Sequence, residues 1–377
     1  MPRGDIATLA AAHAEKSKQA TFKPLFTPVP EDRCLSMGCS ILNLAMSGRV
    51  NGGAKLGSTV HIPGDSDTAK SLIGRTILAE ATIDKRFDKH GLYLDNADSP
   101  DSFPIQQMFG KKLAERMKHP GPDGGSSPLI EDFFFNAFRI FSKENAIYLL
   151  DSMDGLEARA GMELFVKNLD LHAKGKELKQ SMGMNKAKSN SENLRKLIRK
   201  IEETKSLLII ISQSRANCDP HSMSPRVHSG GWALKFWSTY QMWLTPMGKL
   251  YKTIHGGKHP VGTLVRVKLV KNHVTGKEID FDMSLYYGYG IADEETSVNW
   301  LCDPDGGGVW KQEKGNLTTR GETGLPKTVS IKEFLAKTSP NSPQYDPVAR
   351  KSFDVALQLA WDELESQVRR AGRYGNV

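Results

Sequence analysis

The chain is poor in cysteine, with four in 377 residues: Cys34, Cys39, Cys218 and Cys302. No two are spaced as CxxC, and the ten histidines supply no HExxH. A disulfide framework and a structural zinc site are therefore not expected. Long apolar runs are also missing, and the oily stretches are too short and too interrupted to span a bilayer. No membrane partner is expected. The opening MPRGDIATLAAAHAEKSKQA carries no extended apolar h-region, which argues against a secretory signal. These absences together point to a reducing, cytoplasmic setting.

What is present is globular. Hydrophobic residues make up 39% and charged residues 25%, enough apolar material for a sizeable core. Lys and Arg number 51 against 43 Asp and Glu, a formal net charge of +8. Such an excess favours a polyanionic partner only where the charge gathers on one surface. The length fits one large domain with an appendage.

Residues 38–48 read as a helix carrying Ile41, Leu42, Leu44 and Ala45. Residues 58–62 are β-prone and run through GDSDTAKS into a helical pattern with Leu72, Ile73, Ile77, Leu78 and Ala81. Further strands are expected at 91–95, 146–150 and 207–211, the last being the most apolar of the chain. Near-continuous apolar strands separated by helices indicate a mostly parallel sheet covered on both faces, an α/β fold. Residues 237–243 and 263–271 alternate more and suit antiparallel extensions. The aromatic run 130–142 suggests a buried helix, and 174–198 a mobile basic stretch leading into a helix with Leu194, Leu197 and Ile201. Beyond about 290 the texture changes to loops, then helices at 329–337 and 348–370 with a basic tail. The expected division is an N-terminal helical and extended oligomerisation segment at 1–33, a core at 34–292 and a small C-terminal module at 293–377.

GDSDTAKS resembles a Walker A loop, G-x-x-x-x-G-K-S/T, with Ala69 in place of the second glycine. The chemistry needs inward backbone N–H groups, a helix N-terminus behind them and a lysine on the β/γ-phosphates. Gly64, Asp65, Ser66, Asp67, Thr68, Ala69, Lys70 and Ser71 therefore form the expected nucleotide loop. Ser71 is the expected magnesium ligand. Where the loop requires positive φ, alanine is strained and glycine is not. Asp151, ending the strand IYLL, fits a Walker B acid for magnesium. Gln213 follows LLIIIS, where it is positioned to sense a γ-phosphate. An aspartate in a turn and a satisfied loop amide are the plainer readings of these two residues.

In order along the chain, these blocks resemble the RecA family of recombinases. SMGCSILNLAMSGRVNGGAKLGSTVHIPGDSDTAKS is similar to the family's lead-in and phosphate loop, and IYLLDSMDGL to its Walker B strand. LLIIISQSRA, SGGWALKF, VRVKLVKN and LYYGYGI follow in the family's order, so the likeness runs from about 36 to 292. It implies a RecA-like P-loop ATPase core with ATP and Mg2+ as cofactors. Lys70, Ser71, Asp151 and Gln213 take the roles above, and Asp101 and Phe103 join the nucleotide site. It also implies two DNA loops. The first, around 175–190, includes Lys176 and Lys179. The second, 214–231, includes Arg215, His221, Arg226, His228, Gly230 and Gly231. Small residues mixed with Arg, Lys and His suit phosphate contact without base readout. Lys271 resembles a lysine that reaches the ATP of a neighbouring protomer.

The resemblance thus implies a DNA-dependent ATPase that forms a filament on single-stranded DNA and pairs it with double-stranded DNA. The setting it implies is a bacterial or phage-infected cytoplasm. Two departures stand out. The family's general-base glutamate falls on Ala97, leaving Asp98, then Asp95, as replacements. The second loop has no aromatic residue. A helicase-type ring ATPase and an ATP-binding DNA-filament protein with weak hydrolysis are the alternatives.

Overall fold

The computed structural model describes residues 28–98, 103–177, 184–216, 226–228, 232–321 and 324–368; for 184–191, 215–216, 226–228 and 232 it describes the backbone alone. The N-terminal segment 1–27 lies outside the described residues.

Contacts divide the chain into two units. The larger comprises Val29–Ser47 and Asn51–Asp293. Its framework is a ten-stranded mixed sheet. In chain order the strands are β1 (Ser58–Gly64), β2 (Gly91–Asn96), β3 (Met117–Lys118), β4 (Ala146–Asp151), β5 (Leu207–Ala216), β6 (Arg226–His228), β7 (Tyr240–Ile254), β8 (Gly257–Asn272), β9 (Ile279–Tyr286) and β10 (Gly290–Ile291). Their order across the sheet is β10-β9-β8-β7-β1-β5-β4-β2-β3, with β6 paired to β5. From β7 through β1, β5, β4 and β2 to β3 the neighbours are parallel. From β7 outward to β10 they are antiparallel.

The central strands are buried along their whole length in β1 and β4, as expected of parallel strands covered on both faces. Successive side chains point to opposite faces. Tyr148 and Leu150 of β4 and Leu208 and Ile210 of β5 join one cluster. It is closed by helix α3 (Ile130–Phe141), helix α5 (Met184–Thr204) and helix α6 (Trp232–Trp237). On the other face lies helix α2 (Lys70–Ile83). There a Cβ at Gly74 would stand 2.8 Å from Leu149 Cδ1, so glycine lets the helix approach closely. Each fully buried Leu or Ile stabilises this packing by roughly 1.5–3 kcal/mol. The preceding helix α1 (Ser40–Ser47) is buried throughout. Its Ser40 Oγ donates to Asp293 Oδ2 at 2.7 Å.

The four strands expected from apolar runs all form, and the expected antiparallel extensions form at greater length. β7 and β8 make a hairpin whose Ile254 and Gly257 pair across His255 and Gly256. Both turn residues have positive φ, 50° and 79°, the two-residue turn that matches strand twist. Two expectations need correction. Helix α3 is amphipathic rather than buried: Phe133 and Phe141 are in the core, but Phe135 is 69% exposed. The basic stretch is shorter than expected, because α5 begins at Met184 and takes in the second half of 175–190. Leu194, Leu197 and Ile201 are buried at helical spacing and anchor it. Helix α4 (Arg159–Ala173) precedes that stretch, with Met162, Phe165, Val166 and Leu169 exposed.

The smaller unit includes Gly48–Val50 and the described residues from Glu294 onward. It holds a three-stranded antiparallel sheet of Lys311–Glu313, Asn316–Thr318 and Thr328–Ser330. Helices α8 (Ile331–Thr338) and α9 (Pro347–Val368) follow helix α7 (Asp293–Cys302). Trp310, Phe334 and Phe353 form its aromatic core, with Phe334 and Phe353 edge-on at 5.0 Å. Among the described residues, no helix is long and apolar enough to cross a membrane.

Candidate active site

Parallel α/β sheets offer ligand sites at the carboxyl ends of their strands. Here those ends line up. Gly64 of β1 is the register partner of Gln213 on β5, and Asn96 of β2 is that of Asp151 on β4. The loops leaving the strands are stitched together: Ala97 N donates to Asp151 O at 2.8 Å, and Met153 N to Ile211 O at 3.0 Å.

The loop from β1 to α2 begins at Gly64. A Cβ there would lie 2.8 Å from the Leu244 carbonyl and 3.1 Å from Thr68 Oγ1, so the strand end requires glycine. Asp67 and Ala69 both have positive φ, 60° and 59°. Ala69 is the N-cap of α2, a 14-residue helix whose positive end faces the loop. Thr68 is buried, and its Oγ1 donates to the Asp65 carbonyl at 2.8 Å. Lys70 is buried as well. Its ammonium donates to the Asp65 carbonyl and, at 3.3 Å, to Thr68 Oγ1. Burial lowers its pKa, against the upward pull of Asp151, Asp65, Asp154 and Asp67. Asp65 and Ser71 are half-buried, while Ser66 and Asp67 are exposed.

Asp151 is buried at the end of β4, and its Oδ2 is paired to Arg75 Nη1 at 2.7 Å. Arg75 is 1% exposed; the same nitrogen donates to the Ser71 carbonyl at 3.1 Å. Its guanidinium carbon lies 4.6 Å from the Phe103 ring centroid. Phe103 therefore joins this corner through Arg75, and Asp101 lies outside the described residues. Gln213 is exposed, and its backbone N–H donates to Asp154 Oδ2 at 2.7 Å. The next residue, Ser214, donates its hydroxyl to Asp65 Oδ1, tying the loop to β5.

The two replacement bases differ. Asp95 is fully buried, with Oδ2 taken by the Tyr148 hydroxyl at 2.6 Å and Oδ1 by the Ser127 N–H at 2.7 Å. Burial raises its pKa despite these bonds. Asp98 is exposed and accepts a hydrogen bond from Ser152 Oγ at 2.8 Å. Of the pair, only Asp98 presents its carboxylate to solvent.

The remaining candidates are spread out. Lys271 of β8 donates to the carbonyls of Lys235 and Phe236, at 2.7 and 2.8 Å, capping the end of α6. Burial and the nearby Lys235 push its pKa down. Lys176 is exposed after α4. Arg215 sits on β5, and Arg226 and His228 on β6, which returns antiparallel to it. The flanks of the expected second loop are thus a strand pair. Lys179, His221, Gly230 and Gly231 lie outside the described residues.

The residues at the strand ends fit a nucleotide's phosphates: left-handed loop backbone, a helix N-terminus and a buried lysine. They fit a divalent ion less well. Ser71 offers a hydroxyl, but Asp151 is already neutralised by Arg75. Among the described residues no group of three or more His, Cys, Asp or Glu is placed to hold a metal. Sequence reasoning misses Arg75, Ser152, Asp154 and Ser214. For Arg75 the available signal is a lone arginine four residues after Ser71, set among the apolar residues Leu72, Ile73, Ile77 and Leu78.

Comparison with known proteins gives one consistent answer. The family described as RecA N-terminal domain matches residues 165–292. Protein RecA of Syntrophobacter fumaroxidans is 26% identical over 297 residues, 76% of this chain and 76% of its own. Protein RecA of Delftia acidovorans is 25% identical over 331 residues, 85% of this chain and 81% of its own. That of Azoarcus sp. is 26% identical over 296 residues, 77% and 78% of the two chains. The mixed, centrally parallel sheet and these matches make the chain homologous to RecA at the family level over much of its length.

Proposed function

We propose that this chain is an ATP-dependent DNA recombinase that assembles as a helical filament on single-stranded DNA and promotes pairing and strand exchange with double-stranded DNA. The observation that carries the reading is the junction of β1 and β5. Gly64 pairs with Gln213, and Ser214 is bonded to Asp65 of the phosphate loop. β5 then runs into the candidate second DNA loop, so phosphate binding and that loop share one short strand.

In this reading the α2 N-terminus and Lys70 hold the β/γ-phosphates. Lys70 is already partly desolvated, so exchanging its bonds to Asp65 and Thr68 for phosphate oxygens costs less than it would for a hydrated lysine. Asp98, oriented by Ser152, accepts the proton of the attacking water. Gln213 reports the phosphate state along β5. A divalent ion accompanying the nucleotide would offset phosphate charge, and Ser71 is the side chain that would hold it. DNA phosphates meet Lys176, Lys179, Arg215, His221, Arg226 and His228, with Gly230 and Gly231 giving the backbone freedom to follow them. Residues 1–33 link protomers, and Lys271 reaches a neighbour's nucleotide on assembly.

Two observations favour a second reading, an ATP-binding DNA-filament protein with weak hydrolysis. Asp98 is shorter than the family's glutamate, and the expected magnesium acid is held by Arg75. The test images the purified protein on single-stranded DNA, with ATP and with a non-hydrolysable analogue, while measuring released phosphate. Helical filaments with DNA-stimulated release support the recombinase. Filaments without release favour the second reading. Closed rings, or no association with DNA, refute both.

A further inference from the structure

We propose that Arg75 is a positioning residue that serves as the resident counter-cation of Asp151, so that the phosphate loop takes nucleotide without Asp151 acting as a magnesium ligand. The proposal rests on the nucleotide-site reading above and concerns how that site is charged.

Arg75 is held on three sides. Its Nη1 lies 2.7 Å from Asp151 Oδ2 and 3.1 Å from the Ser71 carbonyl, and its guanidinium lies against the Phe103 ring at 4.6 Å. Both members of the ion pair are buried, with side chains 2% and 8% exposed. A surface pair of this kind would be screened and rearranged by water. A buried one is kept because removing either partner strands the other charge. The planar guanidinium offers a fixed fork of N–H donors that suits a carboxylate partner. Arg75 also stands one helical turn beyond Ser71, on the same face of α2. The fixed cation is thus placed between the backbone of the candidate metal hydroxyl and the acid expected to share the metal.

The surroundings give this cation a task. Asp65, Asp67, Asp151 and Asp154 all act electrostatically on Lys70. Four carboxylates against one ammonium leave the loop negative, and each acid cancelled lowers the repulsion met by an entering polyphosphate. Arg75 cancels the buried one. Ser71 then remains as the side chain for a divalent ion that arrives with the nucleotide.

The test compares the full-length unsubstituted chain with Arg75→Met, Arg75→Lys and Asp151→Asn. A fluorescent non-hydrolysable ATP analogue is titrated by anisotropy in EDTA and in excess Mg2+. Thermal denaturation of the nucleotide-free proteins is followed alongside. Arg75→Met should lose about tenfold or more in EDTA affinity and regain part of it in Mg2+, which then finds Asp151 free. Its nucleotide-free form should melt lower and be raised by Mg2+ alone, whereas Mg2+ alone should leave the melting temperature of the unsubstituted chain unchanged. Asp151→Asn should keep its affinity in Mg2+ within about threefold, or bind more tightly through the unpaired guanidinium. Loss of about tenfold or more in Mg2+ alone by Asp151→Asn, with EDTA affinity unchanged, makes Asp151 a metal ligand and overturns the proposal. Equal EDTA affinity in Arg75→Met and the unsubstituted chain overturns it too. Should Arg75→Met fail to fold, Arg75→Lys, which keeps the charge without the fork, and Asp151→Asn still decide it. An unsubstituted chain that binds no nucleotide in either condition defeats the nucleotide-site reading itself, an outcome distinct from changes seen only among the variants.

Discussion

Replacing Ala69 with glycine tests the phosphate loop most directly. Ala69 is held at φ 59° and ψ 26°, the left-handed region, at the N-cap of α2. There a Cβ crowds the following carbonyl and costs about 1–2 kcal/mol. Glycine removes that strain but gives the unfolded chain more freedom, which costs about 0.4–1 kcal/mol. The methyl group is half-exposed, so little packing is lost with it. The net expectation for Ala69→Gly is a gain of about 0.5–1 kcal/mol. In a unit of this size that raises the melting temperature by about 1–3 °C. Urea denaturation should show a higher midpoint at unchanged slope, because the surface exposed on unfolding is the same. Ala69→Val should move the other way by more than about 1 kcal/mol, since a β-branched residue tolerates positive φ worst. Nucleotide affinity in Ala69→Gly should stay within about threefold, because glycine adopts this left-handed backbone without strain. A lower midpoint for Ala69→Gly, or no loss for Ala69→Val, would refute the left-handed N-cap.

Three other variants bear on the proposed function. Lys70→Ala should weaken ATP binding by about a hundredfold or more and leave circular dichroism and melting temperature intact, since the desolvated ammonium contributes little to folding. Joint replacement of Arg215 and Arg226 by alanine should weaken single-stranded DNA binding and shrink the slope of log affinity against log salt by about 1–2, read by anisotropy at several salt concentrations. Lys271→Ala should lower stability by about 1 kcal/mol through loss of the α6 cap, bind ATP normally and lose DNA-stimulated hydrolysis. Mixing it with Lys70→Ala should restore phosphate release, and co-assembly without recovery would confine the site to one chain.

The fold was legible where burial and sequence pattern coincide. β1, β2, β4 and β5 are short apolar runs bounded by glycine, charge or polar loops, and two-sided burial in a parallel sheet demands such runs. The pattern weakens where burial is one-sided. Most of β7 beyond Leu244 and the first four residues of β8 are exposed, so no apolar signal marks their length. In α3 a phenylalanine-rich stretch looks uniformly apolar, yet Phe135 and Phe138 face out. α5 begins in KAKSNSEN, polar enough to resemble a loop, and is anchored only later by Leu194, Leu197 and Ile201. The helical spacing of Met162, Phe165, Val166 and Leu169 marks α4, and it goes unused when periodicity is taken to mean core.

The site divides along a different line. A glycine-opened loop before an apolar helix, and an acid ending an apolar strand, are local patterns, so Lys70, Ser71 and Asp151 can be named from sequence. What those groups are bonded to is not local. Asp151 meets Arg75, 76 positions away, and Asp65 meets Ser214, 149 positions away. A lone arginine in LIGRTILAEATI reads as the polar face of an amphipathic helix, yet Arg75 points inward because an equally buried carboxylate awaits it. Neither charge is tolerable there alone, so each explains the burial of the other. The same reasoning separates Asp95 from Asp98. Both follow an apolar run and both resemble a displaced base, but Tyr148 and Ser127 consume the oxygens of one, whereas Ser152 steadies the other at the surface. Which of the two carboxylates stays open to solvent is therefore decided by residues on neighbouring strands and loops, which only the assembled sheet brings within reach.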